Sequence, residues 1–584
     1  MNRTSARSLL RACAVLAFTA AHPGTAQEQP PLAERTAQSG LPLDEVRQAM
    51  ELPYLALSFT VDPPAQSIGG EAHYTIRAAE ALDRIAFDLD PRFTIARIAV
   101  DGQELAPSAW SNPEGLLTIA LPTPLPQGGE TKVMIRWSGT PHVAANAPWD
   151  GGFVWSSTPD GRPWIATAVQ GQGCDTFWPC LDHPTKRVQL LDLTVQVPEP
   201  LVAAGNGRLI GEEHGDGWAI WRWRARSPNG YGVTLQIAPY EVAQDTFPSR
   251  FGNTVPLAFW HLPGNEAEAT RLLGELKDFL SFFEEVVGPY PFADEKAGIA
   301  ETPHLGMEHQ TINAYGNTFR RAAEGYDWLL QHEFAHEWFA NQMSNRTEGE
   351  MWLHEGLGTY MQPLYLRWKS GEQLYHATLW EHRKRILSRV PLVSADPNAL
   401  GDYLDEESGW GNDIYYKGSW ISHTLREAIG DAAFFESLRR LVYGRPDPAP
   451  GDFAPVLRDT ADFERIVEEV TGQEWGWFFD TYLRTAALPR LEVQREGRTL
   501  SLSWHTQAAT PFQLPVEVRA GDRLLLAPMT GGTGQLDLGD AQVHLTIDPS
   551  AKILRDDPAI SQWQAQEDAA RQAAAAEEPA QALD

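Results

Sequence analysis

Apolar and polar residues alternate along the chain from about Leu52 to Val242, and turns rich in Gly, Pro and Asp separate the alternating runs. Period-two alternation is typical of β-strands that bury one face. The pattern therefore predicts an all-β, sandwich-like N-terminal domain over residues 51–245, after a linker over residues 27–50. The clearest runs are Leu55, Leu57, Phe59 and Val61, and Leu191, Leu193, Val195 and Val197.

The hydrophobic spacing changes at Asn265. Apolar residues then recur every three or four positions, which predicts a helix that ends at Gly288-Pro289. Helical patterns dominate residues 246–488, and short alternating runs then predict a small C-terminal β domain over residues 489–557. The chain is thus predicted to be a multidomain α+β protein. The helical positions are Leu272, Leu276, Phe279 and Phe283, and the late alternating runs lie at residues 491–493, 500–504, 516–518 and 543–547.

The two ends of the chain lack the pattern of a folded core. Three arginines precede an apolar stretch, Ala12–Ala21, which small residues follow up to Ala26. This is the layout of a secretory signal peptide over residues 1–26, so we expect export to a periplasm or beyond. The acidic, Ala-rich tail over residues 558–584 is predicted to be disordered or a frayed helix.

Composition and charge narrow the possible functions. The chain has 584 residues, 43% of them hydrophobic, and a formal net charge of −30. Such a negative surface repels nucleic acids and anionic membranes, so we expect neither as a partner. No internal apolar run reaches the roughly 18 residues that span a bilayer, so we expect no stable membrane insertion after signal cleavage. Two cysteines, Cys174 and Cys180, remain after cleavage, and the sequence leaves open whether they form a disulfide.

One segment contains a complete set of ligands for a catalytic zinc ion. His332 and His336 lie four positions apart, so on a helix they project from one face, with Glu333 beside them. Glu355 follows in a second helix-like run. Three protein ligands leave the fourth position of Zn²⁺ open for water, which is the arrangement of catalytic sites. The pattern predicts one zinc ion per chain and Glu333 as the general base for attack on a carbonyl.

The segment resembles the aminopeptidase N family of zinc metallopeptidases, which includes leukotriene A hydrolase. Members of this family have His-Glu-x-x-His, eighteen residues and then Glu within Trp-Leu-x-Glu-Gly, and this chain has the same spacing and Trp352-Leu353-His354-Glu355-Gly356. The resemblance implies a thermolysin-like catalytic domain over residues 246–488. It also implies hydrolysis of the N-terminal peptide bond of peptides with a free N-terminus.

Gly306-Met307-Glu308-His309, upstream of the zinc helix, resembles the family's Gly-x-Met-Glu-Asn exopeptidase motif. It departs from the motif at Leu305 and His309. The resemblance implies that Glu308 binds the substrate α-amine and that Gly306 and Met307 help to form this subsite. An α-amine has an unperturbed pKa of about 7.7–8.0 and is largely cationic at neutral pH, so a carboxylate there accepts charge-assisted hydrogen bonds.

Tyr415-Tyr416-Lys417-Gly418 is similar to the family's Tyr-x-Lys-Gly segment. The spacing selects Tyr415 over Tyr416. The resemblance implies that the Tyr415 hydroxyl stabilises the oxyanion of the tetrahedral intermediate.

Gln170-Gly171-Gln172-Gly173 resembles the N-domain segment in which a Gln or Glu helps to hold the substrate amine. The distance to the following Pro179-Cys180 pair favours Gln170, with Gln172 as the alternative.

Together these motifs predict a secreted zinc aminopeptidase that binds peptides through their free N-terminus. Two alternatives remain at this point: a zinc hydrolase of another class, such as an epoxide hydrolase, and a catalytically silent binding protein on the same scaffold. The second would be expected to lose metal ligands or the base, and the sequence retains all of them.

Overall fold

A computed structural model describes residues 30–394, 410–451, 454–567 and Ala569. The predicted signal peptide and most of the tail lie outside these residues. The elements discussed here all lie in the compact unit Leu32–Asp584. Among the helices of the described residues, none is long and apolar enough to cross a bilayer.

The N-terminal region is built from strands, as the alternating pattern predicted. Before them, helix α1 (Glu45–Ala49) lies in the segment that the sequence predicts as a linker. Its Arg47 side chain is 2% exposed and pairs with Asp88, so this segment packs onto the domain. The strands are β1 (Met50–Asp62), β2 (Ser67–Ala78), β3 (Leu82–Asp88), β4 (Thr94–Val100), β5 (Gln103–Glu104), β6 (Trp110–Ser111), β7 (Leu116–Leu125), β8 (Glu130–Gly139), β9 (Gly152–Ser157), β10 (Pro163–Ala168), β11 (Leu190–Pro198), β12 (Val202–Ala204), β13 (Arg208–Gly215), β14 (Trp218–Arg226) and β15 (Gln236–Ala238).

The two clearest alternating runs of the sequence are neighbours in the largest sheet. Among the described residues this sheet has eight strands in the order β13-β14-β11-β1-β2-β8-β4-β5. Strands β1 and β11 are parallel and pair Leu55 with Leu191 and Phe59 with Val195. Their apolar residues therefore face the same core. Smaller sheets, ordered β12-β15-β10-β9 and β3-β7-β6, complete the region.

The middle region combines helices with a mixed sheet. Hairpin β16–β17 starts on the N-terminal side of the predicted boundary at residue 245 and belongs to this sheet, whose order is β16-β17-β18-β20-β19. The predicted helix after Asn265 is α2. The four apolar residues whose spacing predicted it are fully buried. The elements are β16 (Glu241–Pro248), β17 (Thr254–His261), α2 (Glu266–Val286), β18 (Ala297–Glu301), β19 (Gly306–Met307), β20 (Asn313–Tyr315), α3 (Trp328–Ala335), β21 (Met343–Asn345), α4 (Trp352–Ser370), α5 (Glu372–Arg383), α6 (Trp410–Ile429), α7 (Asp431–Tyr443), β22 (Val456–Arg458), α8 (Thr460–Thr471) and α9 (Gly476–Tyr482).

The C-terminal region forms two small sheets, ordered β23-β24-β27 and β26-β25-β28. Its apolar residues join the buried cluster of the helical region. Tyr482 of α9, for example, donates a hydrogen bond to the carbonyl oxygen of Leu554, 2.6 Å away. This order of regions confirms the predicted α+β fold class. The strands are β23 (Arg490–Glu496), β24 (Thr499–His505), β25 (Val516–Ala520), β26 (Arg523–Ala527), β27 (Thr533–Asp537) and β28 (Leu545–Ile547), and residues 558–567 of the predicted tail are helical.

Candidate active site

One cavity of about 590 Å³ gathers the residues that the sequence favoured for the metal, catalytic and substrate-binding roles. Its size lies within the roughly 300–1,000 Å³ of typical ligand sites. The predicted residues in its wall are Gln170, Gly306, Met307, Glu308, His332, Glu333, His336, Glu355 and Tyr415.

The predicted metal ligands come from two helices. Asp327 caps the start of α3 by accepting a hydrogen bond from the Leu330 amide at 3.0 Å. His332 lies inside this helix, and His336 follows its last residue. Glu355 lies in the first turn of α4, so the connection over residues 336–351 brings the three side chains together.

The distances between the ligand atoms fit a zinc ion. His332 Nε2 lies 3.3 Å from His336 Nε2, and Glu355 Oε2 lies 3.3 Å and 3.5 Å from these two nitrogens. Ligands about 2.0–2.1 Å from a tetrahedral zinc ion are separated by about 3.3–3.4 Å. Although burial opposes ionisation of Glu355, the neighbouring His336 and His332 outweigh it and lower the pKa of this carboxyl. Two imidazoles and one ionised carboxylate form the donor set of an open, catalytic zinc site.

The backbone around His336 fixes the orientation of its ring. Helix α3 ends just before this residue, and a π-helical turn, Glu337–Gln342, follows it, in which Phe339 adopts non-helical angles of φ −106° and ψ 55°. Its carbonyl oxygen lies 3.1 Å from His336 Nδ1. The Nδ1–H group therefore donates to this carbonyl, which directs the Nε2 lone pair towards the metal position.

Glu333, the predicted base, is packed tightly against the exopeptidase motif. A Cβ atom on Gly306 would lie 2.3 Å from Glu333 Oε1, so a larger residue at this position would have to displace the Glu333 carboxylate. Burial and the negative charge of Glu308 raise the pKa of Glu333 well above its ordinary value. A carboxyl with a raised pKa holds a proton more firmly than an ordinary glutamate does, which suits a group that accepts a proton and then returns it.

Two motif glycines allow α4 and α6 to approach closely. A Cβ atom on Gly356 would lie 2.9 Å from the Cα atom of Gly418, and a Cβ atom on Gly418 would lie 2.6 Å from the Cα atom of Gly356. The helix that carries Glu355 and the helix that carries Tyr415 are thus in backbone contact. This contact brings the tyrosine to the metal ligands.

Of the two adjacent tyrosines, Tyr415 lies against the metal ligands. Its ring centroid is 5.9 Å from that of His332. The Tyr416 hydroxyl instead accepts a hydrogen bond from Arg385 Nη1 at 2.6 Å, although its side chain also lines the cavity. The structure thus places Tyr415, the residue that the spacing selects, beside the predicted metal ligands.

Glu308 lies beside the predicted metal ligands, in a part of the same cavity that we call the amine end. Its side chain is 3% exposed. Gln170 Nε2 and the Tyr231 hydroxyl each donate a hydrogen bond of 3.0 Å to Glu308 Oε1. Burial is the main cause that raises the pKa of Glu308. One ligand atom from each of Glu308, Glu333 and His336 lies within 4.8 Å of the others, so the amine end adjoins the metal ligands.

The structure places Gln170 and Gln172 differently. Gln170 reaches Glu308 in the cavity, whereas the Gln172 side-chain oxygen accepts a hydrogen bond from the Gly151 amide. Gln172 therefore holds the loop, and Gln170 is the candidate for substrate contact. The Cys174–Cys180 pair, which the sequence left open, forms a disulfide beside this loop, with Cα atoms 6.2 Å apart.

Sequence reasoning missed several side chains of the site. Tyr231 follows an Asn-Gly turn, and nothing in the sequence around it indicated a role. Asn341 donates to the Glu308 carbonyl oxygen at 3.0 Å, and Trp149 and Trp328 line the cavity. Of the two departures from the family motif, Leu305 lies in the cavity wall, and His309 is fully buried.

Comparison with known families gives two matches along the chain. Residues 51–229 match the Peptidase M1 N-terminal domain, and residues 307–482 match the Peptidase family M1 domain. Together the two matches span more than half of the chain.

Individual proteins resemble the chain at low identity. It is 22% identical over 479 residues to Aminopeptidase M1-B of Oryza sativa subsp. japonica, a match that covers 78% of this chain and 52% of that protein. It is 22% identical over 411 residues to the leukotriene A-4 hydrolase of Xenopus laevis, covering 66% of this chain and 64% of that protein. The chain thus spans from about half to under two thirds of the length of these relatives.

A solved structure shows the same fold. It is an M1 zinc metallopeptidase mutant from Deinococcus radiodurans bound to a Tyr-Ser-Ala substrate. The TM-score is 0.65 at 23% identity, and the match covers 78% of this chain and 99% of that one.

Proposed function

Because this chain belongs to peptidase family M1, we propose that it is a zinc-dependent aminopeptidase that hydrolyses the N-terminal peptide bond of peptides. The observation that carries this proposal is the buried Glu308 carboxylate, which shares one cavity with the three metal-ligand side chains. A zinc ligand set serves many hydrolases. A carboxylate beside it adds a binding site for the cationic α-amine of a peptide.

The amine end would fix where the peptide is cut. Glu308 accepts hydrogen bonds from the substrate ammonium, and the Gln170 amide oxygen can accept another because its Nε2 already donates to Glu308. Tyr231, whose pKa is raised well above its ordinary value by burial and by Glu308, stays protonated and donates to the same carboxylate. With the amine held here, the first peptide bond extends towards Glu333.

Next to the amine end, His332, His336 and Glu355 would hold the metal. When bound there, zinc polarises a carbonyl and lowers the pKa of a water molecule. Glu333 accepts the proton of the attacking water and delivers it to the leaving amine. The Tyr415 hydroxyl donates to the oxygen that becomes negative in the intermediate.

The proposal is tested with aminoacyl fluorogenic amides, each paired with its N-acetylated form, with and without a zinc chelator. We expect chelator-sensitive cleavage of the free-amine substrates alone. Equal cleavage of the blocked substrates would indicate an endopeptidase. Absence of cleavage with full zinc content would contradict the proposal and favour a binding protein.

We also propose that the protein is exported. The basic, apolar and small-residue order of residues 1–26 supports this proposal, and so does the Cys174–Cys180 disulfide, since disulfides persist in oxidising compartments. Mass spectrometry of the protein from fractionated cells tests it. An N-terminus at or near residue 27 in the exported fraction is the expected result, and an intact N-terminus in the cytosol would contradict it.

A further inference from the structure

The segment before β1 packs behind the active site and is anchored at two points. Arg35 Nε lies 2.9 Å from Asp88 Oδ1, and Arg47 Nη1 lies 2.9 Å from both Asp88 oxygens. Asp88 is 3% exposed, so both arginines meet on one buried carboxylate. Residues 35–47, which we call the strap, are therefore held at both ends.

The middle of this strap contacts the loop that carries Gln170. The Ser39 amide donates to the Gly171 carbonyl oxygen at 3.2 Å. The Ser39 hydroxyl donates to Asp182 Oδ1 at 3.2 Å, and the same oxygen accepts a hydrogen bond of 3.2 Å from the Cys174 amide. Ser39 thus supports the loop on both sides of Gln172.

Gly40, the next residue, contacts the connection between the metal-ligand helices. Its φ of +71° favours glycine, and a Cβ atom here would lie 2.7 Å from Glu348 Cγ. Glu348 lies between His336 and Glu355 in the chain and is 8% exposed. The strap therefore packs between the Gln170 loop and the segment of chain that leads to Glu355.

We propose that Ser39 and Gly40 are positioning residues of the amine end: they hold the Gln170 loop so that Gln170 and Glu308 together bind the substrate amine. The inference rests on the proposed function. The loop has other attachments, namely Gln172 to the Gly151 amide and the Cys174–Cys180 disulfide. Displacing the strap should therefore shift Gln170 without unfolding the domain.

The first test is Gly40→Ala in the full chain, assayed on a free-amine aminoacyl amide. The added methyl group must displace either the strap or Glu348. We expect KM to rise about tenfold, which corresponds to the loss of one hydrogen bond to a charged group. The values of kcat and zinc content should stay close to those of the wild type, because the metal ligands and Glu333 are untouched.

The matched control is Gly128→Ala. Gly128 has a φ of +74°, and among the described residues nothing lies within 4 Å of its would-be Cβ atom, so it imposes the same backbone strain without the contact. A KM in Gly40→Ala that equals that of Gly128→Ala would overturn the inference. A wild type without chelator-sensitive cleavage would instead overturn the proposed function.

A rescue experiment separates positioning from general damage. Glu348→Ala removes the atom that the new methyl group meets, so the double variant Gly40→Ala/Glu348→Ala should recover most of the KM, and failure to recover contradicts the inference. If Gly40→Ala does not fold, Ser39→Ala and Ser39→Thr replace it. Ser39→Ala should raise KM and Ser39→Thr should restore it, whereas equal KM values in both would contradict the inference.

Discussion

The metal end and the amine end of the cavity are assembled in different ways. His332, His336 and Glu355 come from one short stretch of chain, and the periodicity of two helices fixes their positions. At the amine end, Glu308 binds Gln170 and Tyr231, which are 138 and 77 positions away. Local structure therefore determines the metal end, whereas packing between regions determines the amine end. We expect changes at the first to reduce kcat and changes at the second to raise KM.

The largest expected effect is at the metal end. Glu333→Gln keeps the shape of the side chain but removes the proton acceptor, so kcat should fall by roughly 10²–10⁴-fold, the usual contribution of a general base. Zinc content, measured by atomic absorption, should remain at one ion per chain because Glu333 is not one of the ligands. Loss of zinc in this variant would show that Glu333 has a different role.

The corresponding change at the amine end is Glu308→Gln. It removes the negative charge that the substrate ammonium meets, and hydrogen bonds to charged groups are worth about 1.5–3 kcal/mol, so kcat/KM should fall by roughly 10–100-fold, mainly through KM. The control is Glu301→Gln, a buried glutamate that binds the Leu262 amide and Asn265 instead. If Glu308→Gln lowered kcat and left KM unchanged, the expected difference between the metal end and the amine end would be contradicted.

The same contrast explains what the sequence could predict. Helical spacing identified α2, and alternation identified β1 and β11, because each pattern reflects burial within one element. The sequence predicts the metal ligands for the same reason, since their relation is local. Tyr231 was missed, and the choice between Gln170 and Gln172 needed the structure.

The segment before β1 shows most clearly which contacts the sequence alone does not predict. The sequence predicts a linker over residues 27–50 because the segment has no long periodic pattern. Its anchors, Arg35 and Arg47, are ordinary charged residues whose partner Asp88 is 53 and 41 positions away. Pairing over such distances depends on how the strands are arranged, which no local pattern encodes.

A third prediction concerns how the metal end is supported. Gly356→Ala places a methyl group 2.9 Å from the Gly418 backbone, which cannot move aside as a side chain would, so overpacking should cost about 1–3 kcal/mol of stability. The control is Gly274→Ala in α2, where nothing among the described residues lies within 4 Å. Because alanine is a better helix former than glycine, Gly274→Ala should stabilise the protein by about 0.5–1 kcal/mol. Thermal unfolding should show midpoint shifts of opposite sign, and shifts of the same sign would contradict the close helix contact.

The smallest expected effect is at the amine end and tests a single hydrogen bond to Glu308. Tyr231→Phe removes only the hydroxyl that donates to Glu308, and a net hydrogen bond is worth about 0.5–1.5 kcal/mol, so KM for free-amine substrates should rise by roughly two- to tenfold at unchanged kcat. Tyr240→Phe is the matched control, because its hydroxyl donates to the Glu301 carbonyl oxygen at 2.6 Å and not to Glu308. If both variants lower stability but Tyr231→Phe alone raises KM, the hydroxyl acts on the amine site. Equal KM values in the two variants would mean that Glu308 binds the substrate without help from Tyr231, and the amine end would then depend less on long-range packing than its contacts indicate.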